Sequence, residues 1–319
     1  MKDVKAVKEV KTSKGLKGFA RAPLLVAFTI FTSFIIFMPF MVQPGREATQ
    51  RRNPTVPELL EAVGRYIADY EKQFAAIVSE ERYQQNADTS VARGPRSRLL
   101  RSDALMFSAG PMGWITLRDV FEVDGKPVHD HTDRILKLVS NPSPDEYQQA
   151  KRIAEESARY NIGSVSRTIN FPTMPLVFIR IVNQTRSEFS FEGMDTVERL
   201  RVAELAFKET VMPRVINSID DAPAAGKFWI EPGTGRVVRT ELRLKSGGYT
   251  VKIETRYANQ PKLGLWVPVR MDEEYRLGAG GSFFSGGGML RPGSGGFITG
   301  RADYRNFRQF SVDVSTIIK

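Results

Sequence analysis

Polar and apolar residues alternate along the stretch from Lys227 to Leu277, and this is the clearest pattern in the chain. Successive side chains of a strand point to opposite faces, so strict alternation predicts strands with one apolar face and one wet face. Antiparallel sheets commonly have this property. The positions predicted to share the apolar face are Val238, Thr240, Leu242, Leu244, Tyr249, Val251, Ile253, Thr255, Tyr257, Leu265, Val267, Val269 and Met271. Such a face needs a cover.

An amphipathic helix near residue 55 is the natural cover. Thr55 followed by Glu58 is a capping-box pattern, and apolar residues recur at helical spacing from Leu59 to Phe74. A second helix is expected to open at Ser143 and to end near Gly163. The apolar stretch 172–182 fits either a strand or a buried helix.

Residues 22–43 carry no charge, and Leu24 to Val42 would form a helix of about 28 Å, close to the thickness of a bilayer core. Seven basic residues precede this stretch. Positive charge stays on the cytoplasmic side, so we expect the body to be exported. The prediction is a single-pass signal anchor in the inner membrane; the alternatives are a cleaved signal that releases the body to the periplasm, and a buried core helix.

The predicted organisation has four parts. Residues 1–21 form a basic cytoplasmic tail, 22–43 the transmembrane signal anchor and 44–54 a polar linker. Residues 55–319 form one extracytoplasmic domain. Within it, residues 278–300 are rich in glycine and predict a flexible flap or a surface-contacting loop.

The residue types that carry chemistry are scarce. The chain of 319 residues has a net charge of +10, no cysteine and two histidines, in the string His129 to Asp133. That string fits a polar turn or a single metal site, and no nucleophile elbow is present. Adjacent carboxylates such as Glu80–Glu81 and 272–274 are expected on the solvated surface, with Glu273 on the apolar register but reaching water near a strand end. We therefore expect no enzyme and no cofactor.

Basic and aromatic residues suggest partners rather than reactions. Four arginines near Arg82, namely Arg93, Arg96, Arg98 and Arg101, could meet membrane phosphates or an acidic partner, or form a solvated face. Nucleic acid is not expected, because aromatic residues are not interleaved with the basic ones as stacking platforms. The tryptophans Trp229 and Trp266 are expected to be mostly core.

The segment Phe228–Trp229–Ile230–Glu231–Pro232–Gly233–Thr234–Gly235–Arg236–Val237–Val238–Arg239 resembles a hairpin of the lipoprotein-carrier superfamily, whose members include LolA, LppX and RseB-type domains. The order of elements is similar from Thr55 to Val314. The resemblance implies an incomplete β-barrel whose concave apolar face is lidded by helices and accommodates acyl chains. The tether and the glycine-rich loop depart from that pattern.

The sequence therefore predicts an α+β protein with a large curved antiparallel sheet, covered by helices on its concave face, and an N-terminal transmembrane helix. The predicted function is to hold a lipid or a lipidated partner in an apolar cavity; an envelope interaction or sensor protein is the alternative, and a hydrolase the least favoured. Expected partners are the membrane, a lipid or lipoprotein, and an envelope protein. The predicted lining residues are Leu60, Val63, Ile67, Leu242, Leu244, Val251, Ile253, Val267 and Val269.

Overall fold

A computed structural model describes residues 52–74, 76–88, 95–108, 114–129, 134–140, 144–163, 169–216, 221–278 and 296–310. The chain divides into two compact units, Met1–Arg51 and Arg52–Lys319, and every described residue belongs to the second. No helix within the described part is long and apolar enough to cross a membrane. The predicted anchor at 22–43 lies outside the described residues.

Helix α1, Val56–Gln73, is the predicted amphipathic helix. The Thr55 hydroxyl accepts a hydrogen bond from the Glu58 backbone N–H, and the Glu58 carboxylate accepts one from the Thr55 backbone N–H at 2.7 Å. This reciprocal pair satisfies two donors that the helix start would otherwise leave open. The buried stripe of α1 begins at Leu59 and ends at Tyr70.

Eleven antiparallel strands form one sheet. They are β1 Ala76–Ala87, β2 Ser97–Ser108, β3 Trp114–Val123, β4 Lys126–Pro127, β5 Ser187–Val197, β6 Leu200–Glu209, β7 Ala224–Glu231, β8 Arg236–Lys245, β9 Tyr249–Gln260, β10 Leu265–Leu277 and β11 Gly296–Phe310. Their order across the sheet is β4-β3-β2-β1-β11-β10-β9-β8-β7-β6-β5. Pairing of β1 with β11 brings the two ends of the described domain together at the middle of the sheet.

The sheet curls around α1. The Tyr70 ring of α1 lies 5.4 Å from the Trp114 ring of β3, while the same helix also contacts β5. In a flat sheet, the nine strand spacings between β3 and β5 would put these strands about 43 Å apart. Since α1 has 18 residues and is only about 27 Å long, it can contact both strands only because the sheet is curved. We call the face that carries α1 the inner face, and the opposite one the outer face.

Two further helices, α2 Arg134–Ser140 and α3 Pro144–Ala158, pack on the outer face of β1–β3. Their buried residues Ile135 and Ile153 meet an apolar strip made of Val78, Leu105 and Leu117. The predicted cover of the concave face is therefore made by α1, while α2 and α3 lie on the opposite face of the sheet. A bulge in the β2–β3 pairing, between Arg101 and Ser102, changes the alternation and brings Leu117 to the outer face.

The stretch that fitted either a strand or a buried helix is helical. It contains a 3₁₀ helix, Met174–Ile179, followed by the short α4, Ile181–Gln184. Leu176, Phe178 and Ile179 are buried in the inner-face core. Together with α1, these two helices form what we call the cover.

The predicted boundary of the glycine-rich loop needs one correction. Strand β11 begins at Gly296, so residues 296–300 belong to the sheet, where Gly300 pairs with Glu273. Backbone hydrogen bonding with β1 and β10 on either side stabilises an extended conformation there. Residues 279–295 lie outside the described part.

Candidate functional site

The predicted lining residues come together in one apolar layer between the cover and the sheet. Seven of them are at most 3% exposed, namely Val63, Ile67, Leu242, Leu244, Val251, Ile253 and Val267. Leu60 and Val269 are half-buried and pack against the same cluster. In this conformation α1 lies directly on the strands, and these side chains fill the layer between them.

Two β-bulges modify the faces that the alternation predicts. On β8, Arg239 pairs with Trp229 and Val237 pairs with Ile230, so Val238 between them is the unpaired residue of a bulge. Val238 packs on the outer face with Trp229 and Val202. It was expected on the apolar inner face, so that expectation is wrong. Val269 is the extra residue of a second bulge, between Pro268 and Arg270. An unpaired bulge residue escapes strict alternation.

Polar contacts tie the parts of the cover to each other. Arg180 forms an ion pair with Glu71 of α1 at 2.7 Å. The Gln184 side-chain amide donates to the backbone oxygens of Leu60 and Ile179, both at 3.0 Å. Gly64 leaves space for α4: a Cβ at this position would lie 2.7 Å from Ile181. The cover is thus a unit with its own internal cross-links.

Residues 170–172, which lead into the 3₁₀ helix of the cover, make polar contacts with the sheet. Arg118 of β3 donates to the backbone oxygen of Asn170 at 2.7 Å and to its side-chain oxygen at 3.2 Å. The Tyr257 hydroxyl donates to the Pro172 backbone oxygen at 2.7 Å. The C-terminal end of α1 is held by Gln309, which donates to the Gln73 backbone oxygen.

The N-terminal half of α1 meets the sheet differently. Its buried residues Leu59 and Val63 are apolar, and the backbone at Ala62 lies against the turn between β7 and β8. A Cβ at Gly235, in that turn, would clash with the Ala62 carbonyl. Shape and apolar contact therefore hold this half of the cover, and neither is directional.

A buried polar network occupies the inner face at β1, β3 and β10. Arg118 lies 2.7 Å from the Glu81 carboxylate. Burial is the largest single influence on the pKa of Arg118 and lowers it, but Glu81, Tyr304 and Tyr83 together raise it by more, so the pKa lies well above its ordinary value. Tyr83 and Tyr275 donate to Glu273, the latter at 3.2 Å.

This network corrects two expectations. Glu81 was expected on the solvated surface, yet it is buried, because it lies on the inner register of β1 with Tyr83. Glu273 was expected to reach water near a strand end, yet it too is buried. The side chain fits because Gly300, its partner on β11, has no Cβ; one built there would clash with Glu273.

The apolar layer is consequently most uniform over β6–β9. Four phenylalanines continue it there: the Phe207 ring lies 4.9 Å from Phe178 of the cover, 5.1 Å from Phe228 and 6.4 Å from Phe189. Contacts at these centroid distances are favourable for aromatic pairs.

The layer comes nearest to solvent at strand β5. The inner-face residues Phe189, Phe191 and Met194 of that strand are only half-buried. Beside them, α4 contacts β5 and leaves Ile181 58% and Val182 71% exposed. We call this edge, formed by β5 and α4, the apolar mouth.

The outer face is polar, with a few covered aromatics. Trp229 lies under the Arg239 guanidinium, 4.4 Å from it, and Trp266 lies under Arg236 at 4.9 Å. Trp229 is buried, as expected, in a small cluster with Val202 and Val238 on the outer face. Arginine over an indole face is a favourable cation–π arrangement.

A cleft of about 610 Å³ opens on the same side. It is lined by Arg82, Gln84, Asn86, Lys252, Glu254, Asp272, Glu273, Glu274, Thr299, Gly300 and Arg301. Three cations and four carboxylates make it a mixed-charge surface without an apolar floor. It is a poor match to an acyl chain.

The two histidines show no metal centre within the described part of the chain. His129 lies 3.2 Å from Asp119 and 3.0 Å from Arg134, while His131 lies outside the described residues. No group of three or more described His, Asp or Glu side chains could hold a metal ion. Among the predicted basic residues, Arg98 donates to the Tyr160 backbone oxygen and Arg93 is outside the described part.

No protein-family model matches this chain, and neither does any curated protein. Among solved structures, it is similar to an outer membrane lipoprotein-sorting protein domain from Vibrio parahaemolyticus, with 10% identity, a TM-score of 0.38 and coverage of 81% of this chain and 95% of that one. It is also similar to a DUF1329 family protein from Desulfovibrio piger, with 13% identity, a TM-score of 0.37 and coverage of 82% of this chain and 95% of that one. A LolA superfamily protein from Nitrosomonas europaea is 11% identical, with a TM-score of 0.36 and coverage of 84% of this chain and 99% of that one.

Proposed function

We propose that this protein is a membrane-tethered, extracytoplasmic binding module that takes an acyl chain of a lipid or lipidated partner between the cover and strands β6–β9. One observation carries the proposal. The cover is cross-linked within itself and rests on those strands through apolar side chains. Its polar ties to the sheet lie at its ends: at Gln73 of α1, and at residues 170–172, which lead into the 3₁₀ helix.

This arrangement lets the cover move without breaking its own contacts. Apolar burial has no directionality, so an acyl chain can replace the contacts that α1 makes with the strands. Burial of a 14-carbon chain at about 0.8 kcal/mol per methylene provides on the order of 10 kcal/mol before ordering costs. The lining residues would be those predicted from the sequence, with Phe207 and Phe228 added.

The apolar mouth is the proposed entrance. At this edge the sheet residues Phe189 and Phe191 are half-buried, and the cover residues Ile181 and Val182 face solvent. A lipid tail that binds these exposed apolar side chains first can then pass into the buried apolar layer beside them without crossing water.

The predicted anchor at 22–43 would hold the module at the inner membrane, with the body outside the cytoplasm. A cleaved signal, releasing the body to the periplasm, is the alternative location. In the tethered form the supply of lipid would be the same bilayer to which the chain is attached.

Native mass spectrometry of the full chain, extracted in mild detergent, tests the proposal. We expect a bound species with the mass of a lipid. Val182→Ser, at the apolar mouth, should reduce its occupancy, whereas Val128→Ser, an exposed valine beyond β4 at the opposite edge, should not. A chain that never carries lipid, or equal effects of the two substitutions, would contradict the proposal.

A second candidate is an envelope interaction or sensor protein that uses the same fold without a lipid ligand. The observation that favours it is the filled layer, in which seven of the predicted lining residues are at most 3% exposed. Recovery of an envelope protein by in-cell cross-linking, from a chain whose native mass shows no lipid, would favour this candidate over the first.

A further inference from the structure

A row of arginines crosses the outer face of the sheet. Cross-strand pairing places Arg239 of β8 opposite Arg256 of β9, and Arg256 opposite Arg270 of β10. The row continues through Asp303 of β11 to Arg82 of β1 and Arg101 of β2. Directly paired residues share a face, so five arginines and one aspartate follow a line of about 24 Å over six strands. We call these six residues the arginine row.

The row has more positive charge than its own surroundings neutralise. Arg239 pairs with Glu254, Arg270 with Asp303 and Arg101 with Glu122, at 2.9 to 3.1 Å. Arg82 and Arg256 are exposed, and neither forms an ion pair with any residue in the described part of the chain. Arg256 lies between two other arginines, and like charges directly opposite each other are unfavourable.

Several of the acidic residues next to the row are already engaged in other ion pairs. Glu241 pairs with Arg243 and Lys252, and Asp272 pairs with Arg301. These pairs form a nearly neutral surface beside the row. The excess positive charge of this face is therefore concentrated where an external anion would relieve the repulsion around Arg256.

An exposed aromatic residue lies on the same face. Phe297 of β11 is 45% exposed and pairs with Arg276, on the register that also carries Arg301 and Asp303. Arginines that can bind phosphate groups, on the same face as an exposed apolar ring, favour a membrane surface.

The tether limits which surfaces the row can reach. The predicted linker, residues 44–54, joins the predicted anchor to the cap of α1, and eleven extended residues span at most about 40 Å. If the apolar segment is inserted, the start of α1 stays within that distance of the bilayer, and the body is held at the membrane surface. A bilayer surface is then the anionic partner present at the highest effective concentration.

We propose that the arginine row is a docking surface for the anionic phospholipid headgroups of the bilayer that holds the anchor. Docking by the outer face leaves the cover and the apolar mouth free of the surface contact. This inference goes beyond the proposed lipid-binding function and does not require it, but it uses the proposed anchor. Charge attraction to an anionic leaflet falls off within a Debye length, so it should depend strongly on salt.

The test uses the full chain in bilayer nanodiscs of phosphatidylcholine, with or without phosphatidylglycerol. Since the chain has no cysteine, a single Thr299→Cys places a fluorophore on the outer face and Glu61→Cys places one on the cover. Shallow lipid-borne quenchers should quench the Thr299 label when phosphatidylglycerol is present at low salt, and not the Glu61 label. Added salt should reverse the effect.

Variants make the test specific. R82Q/R256Q should shift the docking equilibrium about thirtyfold toward the free state, while the charge-matched R65Q/K72Q on α1 should leave it unchanged. Equal quenching in pure phosphatidylcholine, no effect of R82Q/R256Q, or a response only to an added anionic polysaccharide would overturn the proposal. Lipid occupancy by native mass spectrometry reports separately on the cover, so the two proposals can fail independently. If the anchor proves to be cleaved, flotation of the released body with the same vesicles carries the same expectations.

Discussion

The guanidinium of Arg118 and the carboxylate of Glu81 lie 2.7 Å apart on the inner face of the sheet, where most other side chains are apolar. Loss of one partner leaves a buried charge without compensation. We therefore expect Arg118→Met to destabilise the fold by about 3–5 kcal/mol, and the double variant E81L/R118M to recover much of this loss.

Chemical unfolding followed by fluorescence measures both effects. The matched control is Lys151→Met on α3. Lys151 forms an ion pair with Glu155 in which both side chains are exposed, so its loss should change stability by less than about 1 kcal/mol. If Arg118→Met were as mild as the control, the buried network would not be holding residues 170–172 to the sheet.

Gly235 is the point at which the β7–β8 turn touches the backbone of α1. Its φ is +71°, and a Cβ there would clash with the Ala62 carbonyl. Gly235→Ala should destabilise the protein by about 1–3 kcal/mol and lift the N-terminal half of the cover.

Binding of an apolar fluorescent dye measures that opening. Gly233→Ala, two residues earlier in the same turn, meets no atom within 4 Å and should leave both stability and dye binding unchanged. Equal dye binding by the two variants would show that this contact does not keep the cover closed.

Tyr66 of α1 reports on the cover through its ionisation. Burial raises the pKa of Tyr66 to about 12 from an ordinary value of 10. Because the folded-state pKa is the higher one, the contribution of this group to stability is complete below pH 10 and is lost as the pH rises from 10 to 12. Tyr66→Phe should therefore be less sensitive to alkaline unfolding than the parent chain.

An ultraviolet titration of the parent chain against Tyr66→Phe isolates this group. If an acyl ligand displaces the cover, the pKa of Tyr66 should move back toward 10 in the lipid-bound protein. A pKa that is the same with and without lipid would show that the cover does not lift around Tyr66.

The arginine row should cost stability in the absence of an anion. Arg256 lies between Arg239 and Arg270, so Arg256→Gln should stabilise the fold by about 0.5 kcal/mol at low salt, an advantage that high salt removes. Arg305→Gln is the control, because Arg305 lies opposite Glu80. Urea unfolding at two salt concentrations compares them; a destabilised Arg256→Gln would contradict the geometry.

The alternation of polar and apolar residues identified much of the inner face from the sequence, because the face that a side chain takes depends on its position along its own strand. Leu242, Leu244, Val251, Ile253 and Val267 are all buried in the predicted layer. The helix cap at Thr55 could also be predicted from the sequence, since it depends only on Thr55 and on Glu58, three residues later.

The remaining features depend on pairings between distant parts of the chain. The bulges at Val238 and Val269 depend on the neighbouring strand, and the burial of Glu81 needs Arg118, 37 residues away. The arginine row joins residues from 82 to 303 that become neighbours only through the strand order. That β1 pairs with β11 was not evident from composition or periodicity.

The most direct test of the central claim is photo-cross-linking with a lipid that carries a diazirine on its acyl chain, followed by peptide mapping of the full chain. We predict adducts on β8, β9 and the N-terminal half of α1, at residues such as Val63, Leu242 and Ile253, that excess unlabelled lipid suppresses. Adducts confined to residues 22–43 and the outer face, with the β8 and β9 peptides unlabelled, would contradict an acyl site beneath the cover.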